Sequence, residues 1–305
     1  MPGARPRARE LLKTKSKIVI IGSGGRLGAA LMREYDDKFD VTGFNHLQVD
    51  LESPDEMRKK LCAIDFGVLI NAAAFTNVDL CETERDRAFR INTDGPRILA
   101  EICRDKKAKL IHFSTDYVFD GEKRQPYTES DPANPMSVYG ESKREGEKLV
   151  LQTHYQHLVV RVSWVFGPDR SSFIDAVMKR AREQEQVEAI EDKFATPTYT
   201  QDIAHALLQL LFNARATGIL HFANSGECSW QEYAQWALDC CLSEGIALKT
   251  KSVGALKLAD MKDWVARRPV YSVLSTAKYS ALTGDSPRAW RVAVADYINR
   301  FYSQK

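Results

Sequence analysis

The chain has 305 residues, 44% hydrophobic and 28% charged, an ordinary globular composition with room for one large domain or two modest ones. Its 43 basic and 41 acidic side chains leave a formal charge of +2, so no basic field is available to hold nucleic acid through its phosphates. Six cysteines without C-x-x-C spacing or an accompanying histidine pattern argue against a zinc site and for a reduced, cytoplasmic protein, and no apolar run is long enough to span a membrane.

Residues 1–16 read as a loose basic tail, with a transit peptide as the alternative, because Arg5, Arg7, Arg9, Lys13 and Lys15 meet only one acid, Glu10. Lys17–Ile21 is a β-branched run expected as a strand buried on both faces. The turn Gly22-Ser23-Gly24-Gly25-Arg26-Leu27-Gly28 follows, and Ala29–Glu34 continues as a helix. Strand, glycine turn and helix in that order suit a dinucleotide: Gly22 for the tight turn, Gly25 for close approach to the pyrophosphate, Gly28 for helix packing. The alternative is a plain glycine-rich βα turn.

Asp40–Phe44 is a second short strand. Its end carries Asn45 and His46 where a carboxylate would accept the adenosine ribose hydroxyls of NAD; the missing acid favours NADPH and leaves NADH open. Asp50 and Leu51 lie in a loop within reach of an adenine, although Asp50 could equally cap a helix starting near Pro54. A third strand, Phe66–Asn71, runs into Ala72-Ala73-Ala74, small enough for a cofactor to lie flat against backbone. Thr76–Glu82 leads into a long amphipathic segment through Ala88, Ile91, Ile98, Leu99 and Ile102, spaced for one buried helical face, with Asn92 as a satisfied polar group inside it.

Lys109–Thr115 is the fourth strand, and after a loop rich in Pro, Asp, Asn and Gly a helix is expected over Tyr139–Leu151. The fifth strand, Leu158–Val162, delivers Ser163-Trp164-Val165 to the same edge. Beyond it the alternation loosens: a helix over Phe173–Glu183, a strand near Val187–Ile190, a loop at 196–198, a helix over Asp202–Leu211, a strand over 218–222 and helix with loops from Trp230. The expected fold class is α/β, a doubly wound parallel Rossmann sheet with a smaller C-terminal substrate-binding domain. Residues 17–164 form the first, residues 165–305 mainly the second, and 200–224 return to the sheet.

Tyr139 and Lys143 are four residues apart and therefore share a helix face, which brings an ammonium toward a phenol. A nearby cation favours phenolate, so Lys143 is expected to lower the pKa of Tyr139 into a range useful for proton transfer, with Thr115 holding the substrate oxygen. With lysine this abundant, one such spacing among eleven tyrosines is also expected by chance.

Taken together these motifs resemble the extended short-chain dehydrogenase/reductases and, within them, the dTDP-4-dehydrorhamnose reductases. The resemblance is carried by Gly22-x-x-Gly25-x-x-Gly28, Asn71-Ala72-Ala73-Ala74 with Thr76-x-Val78-Asp79, the string Ser114–Gly121, Tyr139-Gly140-x-Ser142-Lys143, Ser163-Trp164-Val165 and Arg268-Pro269. It implies NAD(P)H held by Gly22, Gly25, Arg26, Leu27, Gly28, Asn45, Asp50, Leu51, Ala73, Ala74, Phe75, Tyr139 and Lys143. It makes Tyr139 the proton donor, Lys143 its partner at the nicotinamide ribose, and Thr115 the ligand of the carbonyl oxygen; Asp116, Trp164 and Arg268 complete the sugar site. The implied reaction is reduction of the C4 ketone of dTDP-4-dehydro-β-L-rhamnose. Phe75 stands where family members often carry histidine, and Ala30 and Gln201 where some carry glutamates of a metal-bridged dimer, so no metal is expected and a homodimer stays open.

Two rivals accompany this reading. A nucleotide-sugar epimerase or 4,6-dehydratase would share the fold, but dehydratases place an acid directly after the Thr-Asp pair, where Tyr117 stands. A non-catalytic regulatory subunit, of which the methionine adenosyltransferase β type is an example, would be expected to have lost part of the Thr-Tyr-Lys set, which is intact.

Overall fold

The computed structural model describes residues 15–303, so all but the end of the basic tail lies outside the described residues. The first half runs β1 (Lys17–Ile21), α1 (Arg26–Tyr35), β2 (Asp40–Phe44), α2 (Pro54–Cys62), β3 (Val68–Asn71), α3 (Val78–Thr83), α4 (Arg85–Phe89), α5 (Gly95–Asp105), β4 (Lys109–Thr115), α6 (Val138–Thr153) and β5 (Leu158–Val162). The second half adds β6 (Val165–Phe166), α7 (Phe173–Glu183), β7 (Val187–Ile190), β8 (Phe194–Ala195), β9 (Thr198–Tyr199), α8 (Thr200–Leu208), β10 (Gly218–His221), β11 (Cys228–Ser229), α9 (Trp230–Ser243), β12 (Val253–Leu256), α10 (Ala277–Thr283) and α11 (Trp290–Tyr302).

Six strands form one parallel sheet in the order β10-β5-β4-β3-β1-β2. The chain winds outward from β1 to β2, then reverses to β3 and continues the other way. A crevice must open at the carboxyl ends where that reversal falls. Alternation along β1 explains why both faces are apolar: Ile18 and Ile20 pack with Leu31 of α1 and Leu207 of α8, while Val19 and Ile21 pack with Leu61 of α2 and Leu99 of α5. Each such side chain, fully buried, contributes roughly 1.5–3 kcal/mol of transfer free energy. A second core lies among α7, α9 and α11, with Val177, Leu238, Trp290 and Tyr297 at its centre.

The long amphipathic helix expected through Ala88, Ile91, Ile98, Leu99 and Ile102 is present. Glu84 leaves helical geometry at φ −115 and ψ 47, ending α3, and from Arg85 to Asp105 the helix runs on, α4 passing into α5 through a π-helical turn over Arg90–Asp94. Pro96 follows at the start of α5, where its missing N–H removes a hydrogen bond that a regular α-helix would need. The wide turn pushes Asn92 inward. Its side-chain oxygen accepts from Phe75 N at 2.8 Å, and its amide donates to Phe75 O and to Ser142 Oγ. Periodicity could not show this, because one inserted residue rotates every later side chain of the helix.

Candidate active site

A crevice of about 730 Å³ opens at the carboxyl ends of β1, β3, β4 and β5. It is lined by the glycine turn, Asn45, Asp50, Leu51, Ala73, Ala74, Phe75, Thr115, Asp116, Tyr139, Lys143 and Trp164, so most of the residues singled out in the sequence meet there. Gly28 does not face it; a Cβ on Gly28 would strike the Gly22 carbonyl, so its part is helix packing. Gly22 has φ +84, and a Cβ there would approach Ala73 N to 2.8 Å. Only glycine allows the turn to lie so close to the end of β3.

The crevice fits a dinucleotide on two grounds. Helix α1 has no side-chain cap at Gly25 and no acid in its first turn, which leaves the amides of Arg26 and Leu27 available to an anion. The wall beside it is backbone and methyl groups at Ala72–Ala74. Arg26 lines the crevice with the rest of the turn, its guanidinium bound to the carbonyls of Val165, Arg170 and Ser171, while Arg170 donates to Gly24 O at 2.8 and 3.0 Å. The two arginines thus cross-tie the glycine turn to the segment after β6. Asn45 closes its own turn, accepting from Leu47 N and donating to Gln48 Oε1. Asp50 does not cap α2; it accepts from Glu52 N, and Ser53 takes the cap position.

Helix α6 begins at a true N-cap, Ser137, whose hydroxyl accepts from Gly140 N. Tyr139 and Lys143 then fall on the face toward β4. Lys143 is 2% exposed, and its Nζ donates to Phe113 O at 2.7 Å and lies 3.4 Å from His112 Nε2. No hydrogen bond joins it to the phenol. The expected lowering of the Tyr139 pKa is therefore not present: burial holds the phenol well above its ordinary value, with the Thr115 hydroxyl acting in the opposite direction, and Lys143 is not among the causes. Burial lowers Lys143 itself to about 8. A desolvated cation tied to a carbonyl stabilises its own place first.

His112 and Asn71, neighbours in register on β4 and β3, support Lys143 from below. Asn71 Oδ1 accepts from Ala73 N at 3.1 Å, so its amide donates to His112 Nδ1 at 3.0 Å. Hydrogen-bond accounting then puts the His112 proton on Nε2, which cannot accept from Lys143, so the ammonium's hydrogen bond is to the Phe113 carbonyl and the ring beside it is a packing contact. Burial keeps this ring neutral, far below its usual pKa. Neither was given a site role from the sequence, His112 standing as part of an apolar strand and Asn71 only in the motif that carries the resemblance, although a polar side chain within such a strand was the available signal.

Asp116 is 2% exposed and carries three hydroxyls, from Thr115 on Oδ1 at 3.0 Å and from Ser163 and Ser272 on Oδ2 at 2.9 and 2.6 Å. Its carboxylate is an internal hub joining β4, the end of β5 and the C-terminal segment, and the Thr115 proton is directed at it. Trp164 sits beside it at φ +39, an unusual backbone for a bulky residue. Arg268 is outside the crevice lining. Its guanidinium holds Asp79 at 2.6 and 3.1 Å and stacks 3.7 Å from the Trp264 ring, so its charge is already neutralised. Among the described residues no three His, Cys, Asp or Glu converge as a metal-ligand set, and Gln201 is bonded to Glu34 and Arg300.

A doubly wound parallel sheet, with an uncapped glycine turn and a Tyr-Lys pair opening on one crevice, defines a dinucleotide-binding protein of the short-chain dehydrogenase/reductase class. The match extends further, and the chain belongs to the family described as RmlD substrate binding domain, whose model covers residues 16–303. It is 34% identical to the spore coat polysaccharide biosynthesis protein SpsK of Bacillus subtilis, over 93% of this chain and 97% of that protein. It is 35% identical to a dTDP-4-dehydrorhamnose reductase of Mycolicibacterium smegmatis, over 97% of this chain and 89% of the relative. A crystal structure of the Bacillus anthracis dTDP-4-dehydrorhamnose reductase in complex with NADP superposes with a TM-score of 0.88 at 28% identity, covering 94% of this chain and all of that one.

Proposed function

We propose that this protein uses NADPH, with NADH as the weaker donor, to reduce the C4 ketone of dTDP-4-dehydro-β-L-rhamnose to dTDP-β-L-rhamnose in the cytoplasm. The observation that carries the reading is the meeting of the glycine turn, Thr115, Tyr139 and Lys143 around one crevice. Residues 17–164 supply the cofactor side and residues 165–305 the sugar side, with α8 and β10 completing the sheet.

The bound nicotinamide supplies a hydride. Everything else is work for side chains of this chain. Tyr139 stays protonated at neutral pH because burial raises its pKa, so it arrives at the ketone as a donor, the form a reduction needs. Lys143 places a positive charge beneath it, fixed by the Phe113 carbonyl. Thr115 can turn its proton from Asp116 to the ketone oxygen at small cost, since Asp116 keeps Ser163 and Ser272 as donors. Tyr117 follows Asp116 where a dehydratase needs a carboxylate; it is buried and its pKa is raised far above neutrality, so it makes a poor base. That favours reduction over dehydration.

The test is purified protein given the 4-ketosugar nucleotide, made in situ, with loss of NADPH and NADH absorbance followed in parallel. Oxidation of cofactor with formation of dTDP-rhamnose is the expected result. Cofactor binding without any oxidation would overturn the reductase reading in favour of a regulatory subunit. Sedimentation of the same sample tests the homodimer that accompanies the proposal.

A further inference from the structure

Lys193 lies between β7 and β8, 0% exposed, and its ammonium has no hydrogen-bond partner. Its nitrogen is 5.2 Å from the centre of the Tyr117 ring and 5.3 Å from that of Trp164. The ring faces attract the charge but accept no proper hydrogen bond at that range. Asp116 is the negative charge that acts on it, yet no hydrogen bond joins the two, and the Asp116 oxygens accept from Thr115, Ser163 and Ser272. An ammonium buried with three unmet donors is among the costlier arrangements a protein can hold, and it persists where a ligand completes it.

The surroundings point to the ligand. Trp164 and Asp116 both line the crevice, and Trp164 Nε1 is likewise buried without a partner. Trp230 Nε1 and Tyr233 Oη, whose rings lie 5.5 and 6.3 Å from that of Trp164, share the same deficit. Four of the six buried side-chain polar atoms without partners among the described residues therefore gather around Trp164, which lines the crevice, while Lys193, Trp230 and Tyr233 stand behind it. All but the tyrosine are donors only, so they call for a ligand rich in oxygen acceptors and bounded by aromatic faces, which describes a hexose better than a base or a second protein. Burial lowers Lys193 to about 8, which leaves it mostly charged at neutral pH.

We propose that Lys193 is a substrate-binding residue that donates to an oxygen of the hexose, behind Trp164 and opposite the Tyr139 side of the crevice. The proposal deepens the reductase reading and rests on it. A methionine at this position keeps the length and apolar contacts and removes the donors.

Holoenzyme carrying NADP+ is titrated by calorimetry with dTDP-L-rhamnose and, separately, with dTDP. Lys193→Met is expected to weaken dTDP-rhamnose binding by about tenfold or more, the loss typical of a charge-assisted hydrogen bond, while dTDP and NADP+ bind as in the parent. Lys193→Gln, which retains a neutral donor, is expected to fall between. In turnover the Met variant shows its loss in KM for the ketosugar. Equal binding of dTDP-rhamnose by parent and Met variant overturns the proposal, and so does an equal loss for dTDP, which would place the contact on the diphosphate. If neither variant folds, isotope-labelled lysine in the parent protein decides: the Lys193 ammonium resonance must shift with dTDP-rhamnose and not with dTDP. A parent protein that binds cofactor but neither binds nor reduces the sugar nucleotide overturns the functional reading itself, and the sugar assigned to Lys193 with it.

Discussion

Lys143 donates to the carbonyl of Phe113 at 2.7 Å, and this bond, rather than any contact with Tyr139, decides where the lysine stands. It ties the first turns of α6 to β4 two residues before Thr115, so tyrosine, lysine and threonine are set by one helix–strand contact. Their chemistry can be separated by substitution.

Tyr139→Phe removes the proton donor and leaves the ring that packs edge-on at 5.8 Å against Tyr117. Cofactor affinity is expected to stay near that of the parent while kcat falls on the order of 10²- to 10⁴-fold, the usual span for a positioned acid. Fluorescence titration with NADPH and steady-state rates check both halves; a variant that keeps most of its rate has another donor.

Thr115→Val preserves shape and deletes the hydroxyl shared with Asp116. Loss of a donor aimed at the developing oxyanion is expected to lower kcat on the order of 10²-fold, with little change in cofactor binding. Comparing kcat and KM separates this from a sugar-binding loss, which would appear in KM.

Glu147 and Arg161 form a bidentate pair at 2.7 and 2.8 Å, 0% and 1% exposed in their side chains, outside the crevice lining and one helical turn from Lys143. Glu147→Gln leaves a guanidinium buried without its counter-charge and is expected to cost about 3–5 kcal/mol in stability. Urea unfolding measures it.

Lys109, Lys143 and Lys193 are each lowered to about 8 by burial, from an unfolded value of 10.5. Between those values the unfolded chain binds more protons than the native one, so these groups make stability rise with pH from about 8 toward 10. Below the folded pKa that contribution is absent. Thermal unfolding across this window should show the rise, and Lys193→Met should flatten it; a flat parent profile would contradict the depressed lysines.

The glycine turn, the strand ends and the Tyr-Lys spacing were legible in the chain because each is a local pattern. A β-branched run before glycines needs only its neighbours to declare itself, and four residues on a helix always share a face. The family followed from the order of these patterns, and the match over residues 16–303 agrees with it. What the linear chain could not express was how each polar atom is spent. Arg26 lines the crevice, but its guanidinium is spent on backbone carbonyls, and that of Arg268 on Asp79. Asp116 lines the crevice, and the linear chain gave no sign that it also accepts three hydroxyls drawn from positions 115, 163 and 272. Lys193, more than seventy residues from Asp116 along the chain, had no local signal at all. Hydrogen bonds and desolvation depend on which atoms meet through space, and for these side chains only the tertiary structure decided which meetings occur.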